Sequence, residues 1–164
     1  MKLKKLQIRC IRNIEEINLS CSSGIHFIHG ENGQGKTTVL ESIYILSNLR
    51  SFRDSDLASA LKYSKQAGQI KGLFEIEQDT QAELKVELVR NPQRFEKRAY
   101  VNHKLSKSAA DYYGVKLQHS PIQFHAINLN PTSTDLIRGE PALRRNYFNQ
   151  VISSQNPNYM NTLK

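Results

Sequence analysis

The stretch Gly30-Glu31-Asn32-Gly33-Gln34-Gly35-Lys36-Thr37, continued by Thr38, fits the phosphate-loop (Walker A) pattern G-x-x-x-x-G-K-[ST] without a mismatch. Each residue type has a physical reason to be there. Gly30, Gly33 and Gly35 let the backbone take positive φ and approach an anion closely. Successive N–H groups then face inward as a nest, reinforced by the positive end of a helix starting near Lys36. Lys36 brings a full charge to the outer phosphates of a nucleoside triphosphate, and the Thr37 hydroxyl suits Mg²⁺. Thr38 caps the helix or contacts the α-phosphate side. At average Gly and Lys frequencies a chance match in such a chain is roughly a half-percent event, so a mere Gly-rich turn is the weaker reading.

The flanks supply the context the motif needs. IHFIHG (25–30) reads as a buried strand running into the loop. From Lys36, KTTVLESIYILSNLR reads as a helix. Val39, Leu40, Ile43, Leu46 and Leu49 recur at three- and four-residue spacing, and Tyr44 and Ile45 widen the stripe, so much of the circumference is expected to be buried. Upstream, residues 3–9 and 14–19 read as strands joined by a turn at Arg12-Asn13. Downstream, 50–69 is polar, with a short helix at 54–62. Strands at 70–77, 82–90 and 96–102 follow, and their links are too short for parallel crossovers, so they form an antiparallel meander. A helical turn is expected at 106–113, a strand at 121–129 and a short helix at 132–138. A further helix opens at Pro141, with Leu143, Tyr147, Phe148 and Val151 along one face. That face is still unresolved at Lys164, and the chain reads as the front part of something longer.

The 164 residues are 38% hydrophobic and 23% charged, enough for one domain with a real core. No run approaches the roughly 18 apolar residues of a membrane helix, and the start lacks the apolar centre of a signal peptide. The reading is a cytoplasmic protein without a membrane partner. Cys10 and Cys21 are too few for a disulfide framework, and His29 and His125 stand outside any ligand constellation. The net charge of +8 is uneven: residues 1–12 carry five bases and no acid, residues 13–84 six bases and ten acids, and residues 85–116 eight bases and three acids. Basic blocks around an acidic one point toward nucleic acid.

Hydrolysis would need a second acidic site, an apolar strand ending in Asp or Glu. FEIEQD (74–79) ends in acids but lies in the meander, and Asp111-Tyr112-Tyr113-Gly114 matches a GTPase D-x-x-G in letters only. The expectation is that the acid lies past residue 164 or that the domain only binds.

The series Ile11-Arg12-Asn13, GENGQGKTTVLESIYIL, LRSFR (49–53) and IRGEPALRRNYFN (137–149) resembles the N-terminal part of the RecF family. These are bacterial recombination-repair ATPases related to the SMC and Rad50 type. The resemblance covers essentially the whole chain and implies an α/β fold: the N-terminal lobe of a P-loop ABC-type ATPase head, with an antiparallel β subdomain and the start of a helical arm. The implied segments are 1–69 (ATPase core), 70–103 (β subdomain), 104–140 (return to the core) and 141–164 (arm). It implies ATP and Mg²⁺ at Gly30–Thr38, with Arg12 and Asn13 close to the nucleotide, Thr37 and Gln123 at the metal, and Arg53, Lys97 and Arg98 toward DNA. Arg144 and Arg145 face DNA or pair within the arm, and Asn149 stands where the family usually has an acid.

The family's role is in DNA repair and replication and the SOS response to DNA damage. It binds single-stranded and gapped or junction DNA and helps load recombinase with RecO- and RecR-type mediators. Full-length relatives form ATP-dependent homodimers and are weak DNA-dependent ATPases, so this fragment is expected to be inactive alone. The alternatives are a stand-alone nucleotide-binding switch or small kinase-like protein, and a DNA-binding domain whose loop holds a backbone phosphate.

Overall fold

Along Lys2–Ile11 (β1) the side chains of Leu6 and Ile8 turn into the core and their neighbours turn outward. At Cys10 the backbone is left-handed (φ 53°), which resets the alternation so that Ile11 is buried as well. A two-residue turn at Arg12-Asn13 returns the chain as Ile14–Ser20 (β2), antiparallel to β1. The other edge of β1 pairs with Ala67–Glu77 (β3), which continues as Thr80–Arg90 (β4), Phe95–Val101 (β5) and Lys104–Leu105 (β6). The result is one antiparallel six-stranded sheet in the order β2-β1-β3-β4-β5-β6. The meander expected from the short links is present, and it continues without a break into the β1–β2 hairpin. At Asn102-His103 both residues have positive φ, the backbone twist that two-residue hairpins favour. The computed structural model describes residues 1–77, 80–114, 116–117, 120–121, 124–129, 139–155 and 159.

One face of the sheet carries Lys36–Asn48 (α1), packed on β1, β3 and β4. Ile45 and Leu46 of the helix meet an inner face that includes Leu6, Ile8, Ile70, Phe74, Val86 and Leu88, all essentially inaccessible to water. Each such side chain contributes about 1.5–3 kcal/mol by leaving water. Of the stripe that the apolar spacing named, Val39, Tyr44, Ile45, Leu46 and Leu49 are buried as expected. Leu40 is half exposed, whereas Glu41, Ser42 and Ser47 are buried among the aliphatics. Between α1 and β3 the chain makes a short 3-10 turn at Leu57–Ala60, capped by the Asp56 side chain accepting from the Ala58 amide, in place of the helix expected over 54–62. Past β6 comes Ala109–Gly114 (α2), near the anticipated helical turn, and a two-residue pairing of Lys116–Leu117 (β7) with Ser120–Pro121 (β8).

The strands expected at 25–30 and 121–129 do not form over the described residues 25–30 and 124–129. Residues 25–30 have no ladder partner among the described residues, and Ile25 and Phe27 are 85% and 87% exposed. Strand composition without a neighbouring strand leaves backbone groups unpaired, so the segment stays irregular. Residues 124–129 are also irregular. The helix expected at 132–138 lies outside the described residues.

The chain divides into two compact units, Met1–Ala126 and Ile127–Lys164. The second contains Pro141–Gln155 (α3), whose proline occupies the first turn as anticipated. There the Asn149 Oδ1 accepts from the Tyr159 hydroxyl at 3.0 Å, a neutral bond at the position where the family resemblance leads one to expect an ion pair. Arg144 donates to the Gly139 carbonyl at 3.3 Å.

The junction of β1, β3 and the 3-10 turn is tight at Gly68, where a Cβ would sit 2.6 Å from the Cys10 carbonyl oxygen and 2.9 Å from Leu61 Cδ1. Gly68→Ala therefore forces a backbone shift and is expected to cost about 1–3 kcal/mol. Urea unfolding with an unchanged midpoint would show that this junction yields freely.

Candidate functional site

Glycine geometry shapes the loop. Gly30, Gly33 and Gly35 have φ of 145°, 84° and 96°, backbone that side-chain-bearing residues rarely adopt. At Gly30 a Cβ would lie 2.7 Å from Gln34 Oε1, and at the buried Gly35 one would lie 2.9 Å from Ile14 Cγ1. Gly35 is also the N-cap of α1, and it brings no side-chain cap. The first-turn amides are thus left to an external acceptor, at the positive end of the helix dipole. Lys36 reaches back over the loop and donates from Nζ to the carbonyls of Gly30 and Glu31, both at 2.8 Å. Glu31, Asn32, Gly33, Gln34 and Thr37 are exposed around it. Thr37 offers a hard oxygen donor one residue from the Lys36 ammonium. That donor fits a single position on Mg²⁺, an ion that takes most of its ligands from phosphate and water.

The β1–β2 turn holds this loop from behind. Asn13 donates from Nδ2 to the Gly33 carbonyl, and its Oδ1 accepts from Thr38 Oγ1 at 3.0 Å, so one amide joins the loop to the first turn of α1. Thr38 is buried and its hydroxyl is engaged with Asn13. Beside it, Arg12 forks onto the buried Glu41 carboxylate, Nη2 to Oε1 at 2.7 Å and Nε to Oε2 at 3.2 Å, while Nη1 donates to the Ser59 carbonyl at 2.9 Å. Ser51 Oγ also donates to Glu41, at 2.5 Å, and accepts from the amides of Arg53 and Asp54. Arg53 Nη1 reaches the same carboxylate at 3.5 Å. Asn13 is thus bonded to the loop, and Arg12 beside it is bonded to Glu41 and Ser59.

Glu41 is the residue that sequence reasoning missed. The signal was available: an acid inside a helix expected to be buried nearly all round demands a cationic partner. Its partners Arg12, Ser51 and Arg53 already stood among the quoted segments.

The other candidates are dispersed. Lys97 and Arg98 are neighbours on β5 and point to opposite faces of the sheet. Lys97 Nζ donates to the Leu49 carbonyl at the C-terminal end of α1, at 2.8 Å. Burial there, with the charge of Arg50, holds its pKa below the ordinary lysine value. Arg98 instead forks onto Glu96, at 2.7 and 3.1 Å. Gln123 lies outside the described residues. Glu75 sits at the far end of β3 from the loop, paired with Lys4 at 3.4 Å, so the acids of FEIEQD begin away from the phosphate site, as anticipated.

This glycine-formed nest on a helix N-terminus, against an antiparallel sheet, is the framework of a known class. Residues 1–150 match the family model of the AAA ATPase domain, and the chain belongs to that family. It is similar to the DNA replication and repair protein RecF of Ligilactobacillus salivarius, 32% identical over 163 residues, which are 99% of this chain and 40% of that protein. The RecF of Citrifermentans bemidjiense is 29% identical over 160 residues, 98% of this chain and 40% of the relative. The chain thus spans about 40% of the length of these curated relatives. Among solved structures, the recombination mediator protein RecF-ATP of the RecFOR pathway superposes with a TM-score of 0.82 at 26% identity, covering 97% of this chain and 40% of that one. A structure from work on ATP-driven dimerisation of SMC ATPases superposes with a TM-score of 0.64 at 15% identity, covering 92% and 99%. The fold is that of an ABC-type ATPase head of the RecF and SMC kind, in its N-terminal lobe.

Removing Arg12 leaves Glu41 buried with only Ser51 and the distant Arg53. Arg12→Ala is expected to cost about 3–5 kcal/mol, and Glu41→Gln, which keeps an acceptor for the guanidinium, clearly less. Chemical denaturation of both variants checks this, and equal losses under about 1 kcal/mol would mean that the pair is solvated.

Proposed function

We propose that this chain is the nucleotide-binding lobe of a RecF-type DNA repair and replication ATPase. The observation that carries the reading is the uncapped N-terminus of α1 behind three positive-φ glycines, with Lys36 folded across the same loop. ATP binds with its phosphates on the Gly30–Thr37 backbone and on Lys36, and Mg²⁺ takes the Thr37 hydroxyl, with Gln123 as a second metal contact. Asn13 and Thr38 fix the loop instead of touching nucleotide, and Arg12 acts through Glu41. The similarity to RecF supports the wider role: binding gapped or junction DNA, helping load recombinase with RecO- and RecR-type mediators, and dimerising with ATP. It equally supports a part in the SOS response and a cytoplasmic setting; no described helix is long and apolar enough to cross a membrane. Segments 1–69 and 104–140 form the ATPase core, 70–103 the β subdomain and 141–164 the start of the arm. Turnover requires an acidic site from outside these residues, so the chain alone binds ATP and does not hydrolyse it.

Lys36→Ala removes a charged contact to phosphate and is expected to weaken ATP binding about 10- to 100-fold, read by competition against a labelled nucleotide. Gapped DNA without ATP should leave the labelled nucleotide in place. Displacement by DNA alone would mean that the loop holds a backbone phosphate. Appreciable ATP turnover by the isolated chain, abolished by Lys36→Ala, would place the missing acid inside it. DNA affinity itself should fall steeply with salt.

A further inference from the structure

Residues Leu61–Gln66 (LKYSKQ) make a turn at the same end of β1 as Arg12-Asn13. Its backbone is fixed from several sides. The Lys62 amide donates to the Cys10 carbonyl at 3.0 Å, the Lys65 amide to the Lys62 carbonyl at 3.0 Å, and the Arg90 amide to the Gln66 carbonyl at 2.7 Å. The Arg90 guanidinium adds bonds to the carbonyls of Tyr63, at 3.4 Å, and Ala58, at 3.3 Å. On this rigid turn the Tyr63 side chain is 96% exposed. The other six of the seven tyrosines are buried or half-buried. A large ring presented to water from a backbone held on several sides offers an accessible face for a contact.

The surroundings say what kind. A ring meant for a protein partner is expected in an apolar patch, the composition of an interface core. Tyr63 is instead flanked by Lys62, Ser64, Lys65 and Gln66. Lys62 and Lys65 both reach Glu15, at 2.9 and 2.7 Å, and Arg90 adds a third cation. The hydrogen bonds from Lys65 and then Lys62 hold the Glu15 carboxyl down at about 2. The group is therefore charged at any working pH, and the cluster keeps a positive balance. An aromatic face among cations is the arrangement that captures single-stranded nucleic acid. A base stacks on the ring and the cations follow the backbone. A fully paired duplex has both faces of every internal base already stacked, so only a gap, an end or a free strand supplies a partner.

We infer that Tyr63 is a stacking platform for an unpaired base, with Lys62, Lys65 and Arg90 supplying positive potential for the adjoining phosphates. This rests on the reading of the protein as a DNA-binding ATPase and adds where an unpaired strand is recognised. The test measures affinity for a short mixed-sequence single strand, a gapped duplex and a fully paired duplex, with ATP binding as the folding control. Tyr63→Ala should weaken single-strand and gapped binding about tenfold or more. Paired-duplex and ATP affinity should not change, and Tyr63→Phe should restore wild-type behaviour. Because the chain has no tryptophan, Tyr63→Trp places one reporter at the site, and its fluorescence should be quenched by the single strand and not by the duplex. Unchanged single-strand affinity in Tyr63→Ala, with wild-type binding intact, overturns this assignment alone and leaves the ring to a protein partner. Equal losses on all three DNAs overturn it too. A wild-type protein that binds no DNA at low salt overturns the DNA-binding reading together with it.

Discussion

A carboxylate with no access to water, Glu41 in the middle of α1, constrains most of what surrounds it. Taking such a group out of water costs several kcal/mol unless it is paired in good geometry. Arg12 provides that pairing with two nitrogens, from a turn in which it is itself left-handed (φ 51°). A non-glycine residue keeps such backbone only where its surroundings over-determine it. The consequence reaches the loop. Arg12 is locked to the helix, and from the next residue, Asn13, the side-chain amide spans Gly33 and Thr38. The turn that holds the phosphate loop is thus itself held by an ion pair to α1.

The two ends of α1 are treated in opposite ways. At its start Gly35 supplies no cap, so donors remain free. At its end the carbonyls are taken up by side chains from elsewhere in the first unit. Tyr112 donates to Leu46 at 2.7 Å and Lys97 to Leu49 at 2.8 Å, placing a cation at the negative end of the dipole. Ser47 and Asn48 grip residues 124–126, with Ser47 donating to the Phe124 carbonyl and accepting from the Ala126 amide. Phe124 also packs 4.5 Å from Phe74. The return segment is therefore held by side chains and needs no sheet ladder, which is why strand-like composition there gave no strand. A helix closed at one end and open at the other can approach the sheet tightly and still offer its N-terminus to an anion.

What was legible in the sequence was mostly local. The loop, the span of α1, the Arg12-Asn13 turn and the β3–β4–β5 meander each declare themselves within a few residues. What failed depends on partners distant in the chain. IHFIHG has the composition of a buried strand, but a strand exists only beside another, and no described strand lies next to it. Leu40 and Glu41 exchanged their expected surroundings because the hydrophobic stripe was counted without asking what Arg12 and Ser51 would bond. Lys97 is exposed, and the bond from its ammonium to the Leu49 carbonyl was not legible because only the fold brings Leu49 to it.

Charge shows the same lesson most clearly. Along the sequence, residues 85–116 form a basic block, and that block suggested a nucleic-acid surface. In the sheet, cations of that block and of the neighbouring strands lie beside acids, either along one strand or across two. Lys85 meets Glu87 at 2.8 Å, Lys71 meets Glu83 at 2.6 Å, Arg98 meets Glu96 at 2.7 Å, and Arg9 of β1 meets Glu16 of β2 at 3.5 Å. Burial alone would push the Glu87 carboxyl up, yet the bonds from Lys85 and Tyr100 bring it below its usual range, so this lattice stays ionised. Lys85 also lies 4.0 Å over the Tyr100 ring. Several cations of the sheet are therefore already paired with acids. The phosphate loop and the Tyr63 turn both lie at the Arg12-Asn13 end of β1. Linear charge blocks measure supply; pairing along and across strands decides how much of it is left over.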